Sequence, residues 1–197
     1  MGKYLEELIS RYEKLSSIKD DINEAYKILE ECFMHDKKLL LCGNGGSSSD
    51  CDHIVGELMK GFVKRRTPKE KYSVSNLQDG LMAINLCAHT ALNHAFANDV
   101  NFENSFANQV LNYGRSGDVL IGITTSGNSK NVIAALKVAK DKNMKTIALT
   151  GASGGAARDI ATVSIIVPES ETYKIQELHL PIYHALCLEL EEKFFKE

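Results

Sequence analysis

Apolar residues recur every three or four positions through the first part of the chain, with Glu, Lys and Asp between them. This spacing matches the turn of an α-helix and predicts an amphipathic helical region from Tyr4 to Phe33. The region is expected to be broken near Ser16 and Ser17. Its apolar stripe must be buried against the rest of the domain or against another subunit, and it comprises Leu5, Leu8, Tyr12, Leu15, Ile18, Ile22, Tyr26, Leu29 and Phe33.

Further along the chain, short apolar runs end in small residues, and a helical pattern follows each of them. Three such runs are residues 38–42, 118–123 and 145–150. Two further strands are expected near residues 82–87 and 162–167. Repeated units of strand, loop and helix predict an α/β fold with a mainly parallel sheet.

Two other segments have their own patterns. Apolar residues at helical spacing predict a long C-terminal helix over residues 172–195, and Pro181 inside it indicates a kink or a helix start at that point. The charged segment 60–71, KGFVKRRTPKEK, is interpreted as a solvated connection.

Length, charge and cysteine content narrow the classes of protein. We expect one domain over residues 1–197, with an N-terminal helical region at 1–35 and an α/β core at 38–197. The 23 Lys+Arg against 26 Asp+Glu give a formal charge of −3, which provides no general attraction for nucleic acid or an anionic membrane. The five cysteines form no CxxC pair, and no apolar run is long enough for a membrane span. These features favour a cytoplasmic, reducing setting without nucleic-acid or membrane partners.

Two of the predicted turns carry groups that bind anions. Residues 43–49, GNGGSSS, bring glycines and then hydroxyls to a predicted helix start, and residues 124–129, TTSGNS, bring three hydroxyls, a glycine and then Ser129 at the N-cap position. At the carboxyl ends of parallel strands, such hydroxyls and backbone N–H groups suit a phosphate monoester. Glycine and serine are also ordinary turn and cap residues, and this alternative stays open for either turn alone.

Nucleotide-binding motifs do not match these turns. The dinucleotide fingerprint GxGxxG is not met because GNGGSS ends in serine, and no GK[ST] follows any of the glycines. A small phosphorylated ligand is therefore expected, without a nucleotide cofactor.

His53 and Glu57 lie four residues apart on the helix that is predicted to follow the first turn. Their side chains are separated by about 40° around the helix axis and share a face. Such a pair is most often a surface ion pair, but this helix would run along the predicted anion-binding crevice. Near the C-terminus a polar cluster interrupts the apolar helix and contains Gln176, Glu177, His179 and His184.

These polar residues fit more than one role. Two histidines, a glutamate and a glutamine amide oxygen make a reasonable site for zinc or a similar divalent ion. The same residues are suited to proton transfer. A histidine of the cluster can instead be bonded to a backbone carbonyl in the core. The sequence leaves these alternatives open.

Four segments together resemble the sugar isomerase (SIS) domain family: CGNGGSSSDCDHIVGEL, DVLIGITTSGNSKNVIAAL, KTIALTGASGG and TYKIQELHLPIYH. The spacings HxxxE and QExHxxxxH are similar to those of its phosphoheptose isomerase branch. The resemblance runs from about residue 38 to the C-terminus, and the N-terminal helical region also fits. It implies a five-stranded parallel sheet flanked by helices, in a homotetramer with sites at subunit interfaces.

The resemblance implies an isomerase acting on a phosphorylated sugar, sedoheptulose 7-phosphate, to give a heptose 7-phosphate aldose through an enediol. Glu57 is the candidate base at carbon and His184 the candidate acid at oxygen. The implied metal is zinc or another divalent cation, at His53, Glu57, Gln176 and His184. The implied substrate contacts are Asn44, Gly45, Gly46, Ser47, Asn98, Asp99, Thr124, Thr125, Ser126, Ser129 and Gln176.

The chain departs from the family pattern in three places. Residues 59–61, Met-Lys-Gly, stand where the family typically has a Gly-Arg pair, and residues 171–174, Glu-Thr-Tyr-Lys, stand where Asp-Thr-x-Arg is familiar. The middle region 76–104 matches weakly apart from Asn98 and Asp99. A second hypothesis is a non-catalytic SIS domain that binds a sugar phosphate or a partner protein as a regulator. The hypothesis of an enzyme is favoured because all four residues of the implied catalytic and metal site are present: His53, Glu57, Gln176 and His184.

Overall fold

Five parallel strands form a single sheet at the centre of the protein. The computed structural model describes residues 1–195. The strands are β1 (Leu39–Gly43), β2 (Ala83–Asn85), β3 (Val119–Ile123), β4 (Lys145–Thr150) and β5 (Val163–Ile166). Their order in the sheet is β2-β1-β3-β4-β5, and every pairing is parallel. The expected five-stranded parallel sheet is confirmed, although β2 is shorter than the apolar run around it.

Helices flank this sheet on both faces. Two short 3₁₀ helices cover Glu13–Ile18 and Phe102–Asn104. The α-helices of the described chain are α1 (Lys3–Arg11), α2 (Lys19–Met34), α3 (Gly46–Met59), α4 (Thr90–Asp99), α5 (Ser105–Tyr113), α6 (Lys130–Asp141), α7 (Gly155–Ile160) and α8 (Thr172–Phe194). None of the helices within residues 1–195 is long and apolar enough to cross a membrane.

Two apolar cores lie on opposite faces of the sheet. Because β1 and β3 are buried on both faces, alternate residues of one strand belong to different cores: Leu39 and Leu41 pack on one side, and Leu40 on the other. The first core is completed by α1, α2, α3 and α8, and the second by α5, α6 and α7. The N-terminal helices and α8 thus share one face, where they pack beside α3.

The N-terminal helical region is interrupted between Arg11 and Lys19, and Ser16 and Ser17 lie within this interruption, where the sequence predicts a break. The interruption begins earlier than the serines, because α1 ends at Arg11 and Tyr12 has φ −130° and ψ +70°. The two serines belong to the 3₁₀ helix that joins α1 to α2. Residues three apart eclipse each other in a 3₁₀ helix, so Leu15 and Ile18 both reach the core.

A carboxylate from α8 holds the start of α1. The buried Glu189 accepts hydrogen bonds from the backbone N–H groups of Tyr4 and Leu5, the latter at 3.1 Å. N–H groups in the first turn of a helix have no partner within it, and a carboxylate also complements the helix dipole there. Glu189 therefore fixes α1 against α8.

The C-terminal helix α8 is continuous through Pro181. It begins at Thr172, so a helix start near Pro181 is excluded. Proline inside a helix costs about 3 kcal/mol because it removes a hydrogen bond and crowds the preceding turn. Burial of one apolar face outweighs this cost, since each fully buried large apolar side chain contributes about 1.5–3 kcal/mol. The buried side chains around the proline include Ile175, Ile182, Tyr183, Leu186 and Leu190.

Residues 60–71 form a connection without helix or strand, as predicted. The interpretation of this segment as fully solvated is wrong for Arg66, whose side chain is buried. Its Nε lies 2.9 Å from Oε1 of Glu191, which is also buried. A guanidinium is stable in such a place because it is paired and hydrogen-bonded.

Candidate functional site

The loops that follow β1 and β3 meet at the carboxyl edge of the sheet, because the two strands are neighbours. We call residues 43–49 the first loop and residues 124–129 the second loop. Asn44 of the first loop and Asn131 of α6 exchange two amide hydrogen bonds, of 2.9 and 2.8 Å. This pair holds the two candidate anion-binding loops side by side. The buried Asn131 was missed because an asparagine inside a helix gives no distinctive sequence signal.

The geometry of the first loop requires glycine. Gly45 has φ +56° and ψ −123°, which other residues rarely adopt, and α3 begins at the next residue, Gly46. A Cβ on Gly46 would lie 2.8 Å from Nε2 of Gln176. Gln176 of α8 therefore lies directly over the start of α3, beside the backbone N–H groups that would face an anion. Ser47 is buried, and its N–H donates to the carbonyl oxygen of Asn44 at 3.1 Å.

The second loop is braced by the turn after β4. Gly127 has φ +69°, and its carbonyl oxygen accepts a hydrogen bond from the N–H of Ala157 at 3.0 Å. The N–H of Gly151 donates to the carbonyl oxygen of Thr125 at 3.1 Å. The bond from Gly151 links the loop to the KTIALTGASGG segment, and the bond from Ala157 links it to α7, so both support the site from behind.

The hydroxyls of the second loop differ in their bonding. The buried Thr124 has its Oγ1 3.0 Å from the Oγ of Ser129, which is the N-cap of α6 as predicted. Ser129 makes no side-chain bond to the helix backbone. The exposed Ser126 accepts a hydrogen bond from the N–H of Asn128 at 3.2 Å, which leaves its own O–H to donate to a ligand. Thr125 is half-buried beside it.

His53, Glu57 and His184 converge beyond the first loop. Nε2 of His53 lies 3.3 Å from Oε1 of Glu57 and 3.3 Å from Nε2 of His184. His53 and Glu57 share a face of α3, as their spacing predicts, and His184 comes from α8. His53 thus contacts both of the other side chains. Within residues 1–195, no group of three or more His, Cys, Asp or Glu side chains is arranged to hold a metal ion. The fourth predicted member, Gln176, lies two turns earlier on α8, over Gly46.

Tyr183 and Asp50 orient the ring of His53. The hydroxyl of Tyr183 lies 3.0 Å from Nδ1 of His53 and 3.2 Å from Oδ1 of Asp50. An ionised carboxylate can only accept, so Tyr183 donates to Asp50, and the Nδ1–H of His53 donates to Tyr183. Burial raises the pKa of Tyr183, which keeps the hydroxyl protonated. With its Nδ1–H held by Tyr183, the ring of His53 presents Nε2 to Glu57 and His184.

Glu57 and His184 have environments suited to proton transfer. Oε2 of Glu57 is buried and makes no hydrogen bond to the described residues, although Nζ of Lys60 lies 3.5 Å away. A buried carboxylate oxygen without a hydrogen bond is costly and is readily satisfied by a ligand. Burial and the neighbouring His53 lower the pKa of His184, while Glu57 opposes the shift, so the imidazole is neutral at neutral pH.

The other members of the polar cluster on α8 lie apart. His179 is fully buried, its Nε2 is 3.2 Å from the carbonyl oxygen of Thr150, and burial lowers its pKa to about 4. It is a neutral histidine that joins α8 to the end of β4. This agrees with the alternative, stated from the sequence, that a histidine of the cluster is bonded to a backbone carbonyl in the core. Glu177 is exposed and borders a groove that also reaches His184.

Asn98 and Asp99 lie at the C-terminal end of α4, where both are exposed. Nδ2 of Asn98 donates to Oδ1 of Asp99 at 2.8 Å. In the described part of the chain, neither side chain is hydrogen-bonded to the first or the second loop. Their role in substrate binding stays a prediction.

Among the five cysteines, we expect Cys87 to react most readily with alkylating reagents. Hydrogen bonding with Cys51 lowers its pKa to about 7, with further bonds from Ser48 and the N–H of Gly43, against the opposing effect of burial. Burial raises the pKa of Cys32 to about 12, and those of Cys42, Cys51 and Cys187 are raised too. Iodoacetamide at neutral pH is therefore expected to add one carbamidomethyl group per native chain, as measured by intact-mass spectrometry.

The thiol of Cys87 also contacts the first loop. Its Sγ lies 3.4 Å from the N of Gly43 and 3.1 Å from the carbonyl oxygen of the same residue, so an adduct should disturb the loop and lower phosphate binding. Cys87→Ser is the matched control and should remain unlabelled until it is denatured. Labelling of native Cys32 at the same rate as Cys87 would contradict the prediction.

Comparison with known proteins shows the family of this chain. The family model described as SIS domain matches residues 3–151. The phosphoheptose isomerase of a Nitratiruptor species is 43% identical over 164 residues, which cover 83% of this chain and 81% of that protein. The solved phosphoheptose isomerase of Neisseria gonorrhoeae has a TM-score of 0.80 and 36% identity, with 94% of each chain covered. For that of Francisella tularensis the TM-score is 0.79 and the identity 33%, with 96% of this chain and 95% of that one covered. The chain therefore belongs to the SIS domain family, in the branch of the phosphoheptose isomerases.

Proposed function

We propose that this protein is an aldose-ketose isomerase that converts sedoheptulose 7-phosphate into a heptose 7-phosphate aldose. The observation that carries the proposal is the convergence of Glu57, His53 and His184 from two helices, one of which starts in the first loop. A module that only binds a sugar phosphate needs the two loops but has no chemical need for this cluster. The similarity to phosphoheptose isomerases, which extends over most of the chain, supports the same reaction.

The proposed chemistry moves one proton between adjacent carbons. An enediol intermediate requires a base at carbon and an acid at oxygen. Glu57, with its unbonded carboxylate oxygen, removes the proton from one carbon and returns it to the next. His184 donates its N–H proton to the carbonyl oxygen and recovers a proton from the hydroxyl of the adjacent carbon as the new carbonyl forms, so that the histidine ends as it began. A neutral imidazole is also the electrophile at the carbonyl in triosephosphate isomerase. The two loops hold the phosphate, so that the reacting carbons lie at this pair.

We further propose that zinc or another divalent cation binds at His53, Glu57, Gln176 and His184. Two imidazoles, a carboxylate and an amide oxygen fit such an ion by their chemistry. Nε2 of His53 is separated from Oε1 of Glu57 and from Nε2 of His184 by 3.3 Å each. When bound, the ion polarises a carbonyl oxygen or orients the substrate.

We infer a homotetramer with sites at its subunit interfaces. A groove of about 360 Å³ lies between α1 and α8, contains Leu8, Tyr12, Phe62 and Leu188, and reaches His184. A second copy covering this groove would bury its apolar surface and exclude water from the histidine. Light scattering should give the mass of a tetramer, and a monomer at micromolar concentration would contradict the inference.

A cytoplasmic location and a single domain over residues 1–197 stay predictions.

An NMR time course of the purified protein with sedoheptulose 7-phosphate tests the function directly. Appearance of aldose signals, with and without added zinc, would establish the isomerase and show whether the metal takes part. Absence of conversion combined with saturable broadening of the phosphorus signal would indicate a sugar-phosphate-binding regulator, the second hypothesis.

The second loop can be tested separately with Ser126→Ala. The Ser126 hydroxyl is exposed and has its O–H available, so its loss should remove a hydrogen bond to a charged phosphate. Such bonds contribute about 1.5–3 kcal/mol, and KM is expected to rise at least tenfold while kcat stays within about threefold. The control is Ser73→Ala, an exposed serine in the connection before β2. An unchanged KM for Ser126→Ala would remove this hydroxyl from the phosphate site.

A further inference from the structure

A buried ion pair lies behind the catalytic cluster. The guanidinium of Arg66 donates through Nε to Oε1 of Glu191 at 2.9 Å, through Nη1 to the carbonyl oxygen of Leu58 at 2.6 Å, and through Nη2 to that of Glu57 at 3.0 Å. The ring of Phe195 covers the guanidinium at 4.3 Å. The two carbonyls belong to the last turn of α3, where no later N–H of the helix binds them. Arg66 therefore caps α3 at the proposed base.

The other member of the pair holds the segment that contacts the proposed acid. The carboxylate of Glu191 accepts hydrogen bonds from the N–H groups of Phe62 at 2.8 Å, Val63 at 2.9 Å and Lys64 at 3.2 Å. The ring centroid of Phe62 lies 5.4 Å from that of His184. Glu191 itself follows His184 on α8 by two helical turns, on nearly the same face.

We propose that the Arg66–Glu191 pair is a positioning device that sets Glu57 and His184 in their reactive arrangement, by joining the end of α3, residues 62–64 and α8. This inference rests on the proposed function. Neither residue of the pair belongs to the cluster of His53, Glu57 and His184. Together they connect the backbone of Glu57 to the ring packed on His184, through hydrogen bonds made by all three guanidinium nitrogens and both carboxylate oxygens.

Stability alone does not account for such a pair. The side chains are 0% and 1% exposed, so both charges have lost their water. Replacing a buried ion pair by apolar residues of similar volume is often neutral or stabilising, whereas removing one partner is strongly destabilising. An apolar contact would also lack the directed bonds to the carbonyls of Leu58 and Glu57. The pair thus supplies geometry that a packed apolar contact cannot.

The test compares the double variant Arg66→Met/Glu191→Leu with wild type. Removing both charges together avoids leaving one buried and unpaired, so the double variant should fold with a cooperative thermal transition. Its kcat is expected to fall about 10- to 100-fold, with KM within about twofold, because displacement of a catalytic group by an ångström can cost roughly 100-fold. Arg66→Lys keeps the charge without the planar fork and should give an intermediate kcat.

Two further readouts do not depend on turnover. Hydrogen exchange at the amides of Phe62, Val63 and Lys64 should be slow in wild type and fast in the double variant. The ring NMR signals of His184 should shift between the two proteins. Arg65→Met is the matched control, since Arg65 is the exposed neighbour of Arg66, and it should behave as wild type in every measurement.

Wild-type kcat in a folded double variant would overturn the inference, as would unchanged exchange and unchanged His184 signals. An inactive wild type would instead refute the proposed isomerase, while exchange and the histidine signals would still report on the pair. A double variant that fails to fold would assign the pair to stability and overturn its positioning role, unless Arg66→Lys folds with a lowered kcat and an unchanged KM.

Discussion

Replacement of Glu57 by glutamine is expected to lower kcat by roughly 10³-fold, the typical contribution of a positioned acid or base. The amide has nearly the same shape as the carboxylate but cannot take a proton from carbon. The fold should be unaffected, because glutamine keeps the shape of the side chain and one oxygen of Glu57 makes no hydrogen bond that the amide would lose. Phosphate affinity should also be unchanged, since the two loops are untouched. The measurements are steady-state isomerisation, thermal unfolding and a phosphorus NMR titration.

The control for this variant is Glu24→Gln on α2. This substitution removes the same charge at a position that is remote in sequence from the proposed site. Glu24 is exposed, and its carboxylate lies 3.2 Å from Nζ of Lys27. It should retain wild-type kcat. A kcat for Glu57→Gln within tenfold of wild type would show that another group removes the proton, and His53 would become the next residue to test.

Replacement of Gly127 by alanine should lower the free energy of unfolding by about 2–5 kcal/mol and impair phosphate binding. The φ of +69° disfavours any side chain, and a Cβ here would overlap the carbonyl oxygen of Gly154 and lie 2.7 Å from the N of Gly155. Both contacts are with backbone, which cannot rotate away. The second loop would have to move off the turn that braces it. Chemical denaturation and KM for the sugar phosphate measure the two effects.

Gly45→Ala provides the comparison that separates strain from overlap. Gly45 also has a positive φ, +56°, but no heavy atom lies within 4 Å of the position of its Cβ. Its replacement should cost about 1–3 kcal/mol from backbone strain alone. Equal losses of stability in the two variants would show that the close approach of Gly127 to Gly154 does not contribute to the change in the free energy of unfolding.

The parts of the fold that the sequence predicts are those encoded by local patterns. Buried parallel strands are continuous apolar runs, and the first and second loops follow two of them with glycines and hydroxyls in order. The pairing of His53 with Glu57 follows from helical spacing alone, and the SIS resemblance selected His184 and Gln176 from the polar cluster near the C-terminus. The interruption of the N-terminal helices includes Ser16 and Ser17 but begins at Tyr12, whose residue type does not mark a helix end.

The parts that could not be predicted depend on contacts between residues far apart in the chain. Asn131 matters because it meets Asn44, and Tyr183 matters because it lies between Asp50 and His53. Arg66 is buried because it pairs with Glu191, although the charge pattern of its own segment, residues 60–71, predicts exposure to solvent. No periodicity or motif encodes such pairings, since each residue alone is an ordinary polar side chain.

The anchoring of α1 by Glu189 has a consequence for the order in which the protein folds during synthesis. The hydrogen bond from the N–H of Tyr4 spans 185 residues, nearly the whole chain. Ribosomes add roughly 5–20 residues per second, and local elements form far sooner than that. The helix α1 must therefore wait, with its apolar stripe undocked, until α8 has been made. Chaperones that bind nascent apolar segments would find their target in the N-terminal residues, and a chain that ends before Glu189 would leave that target exposed.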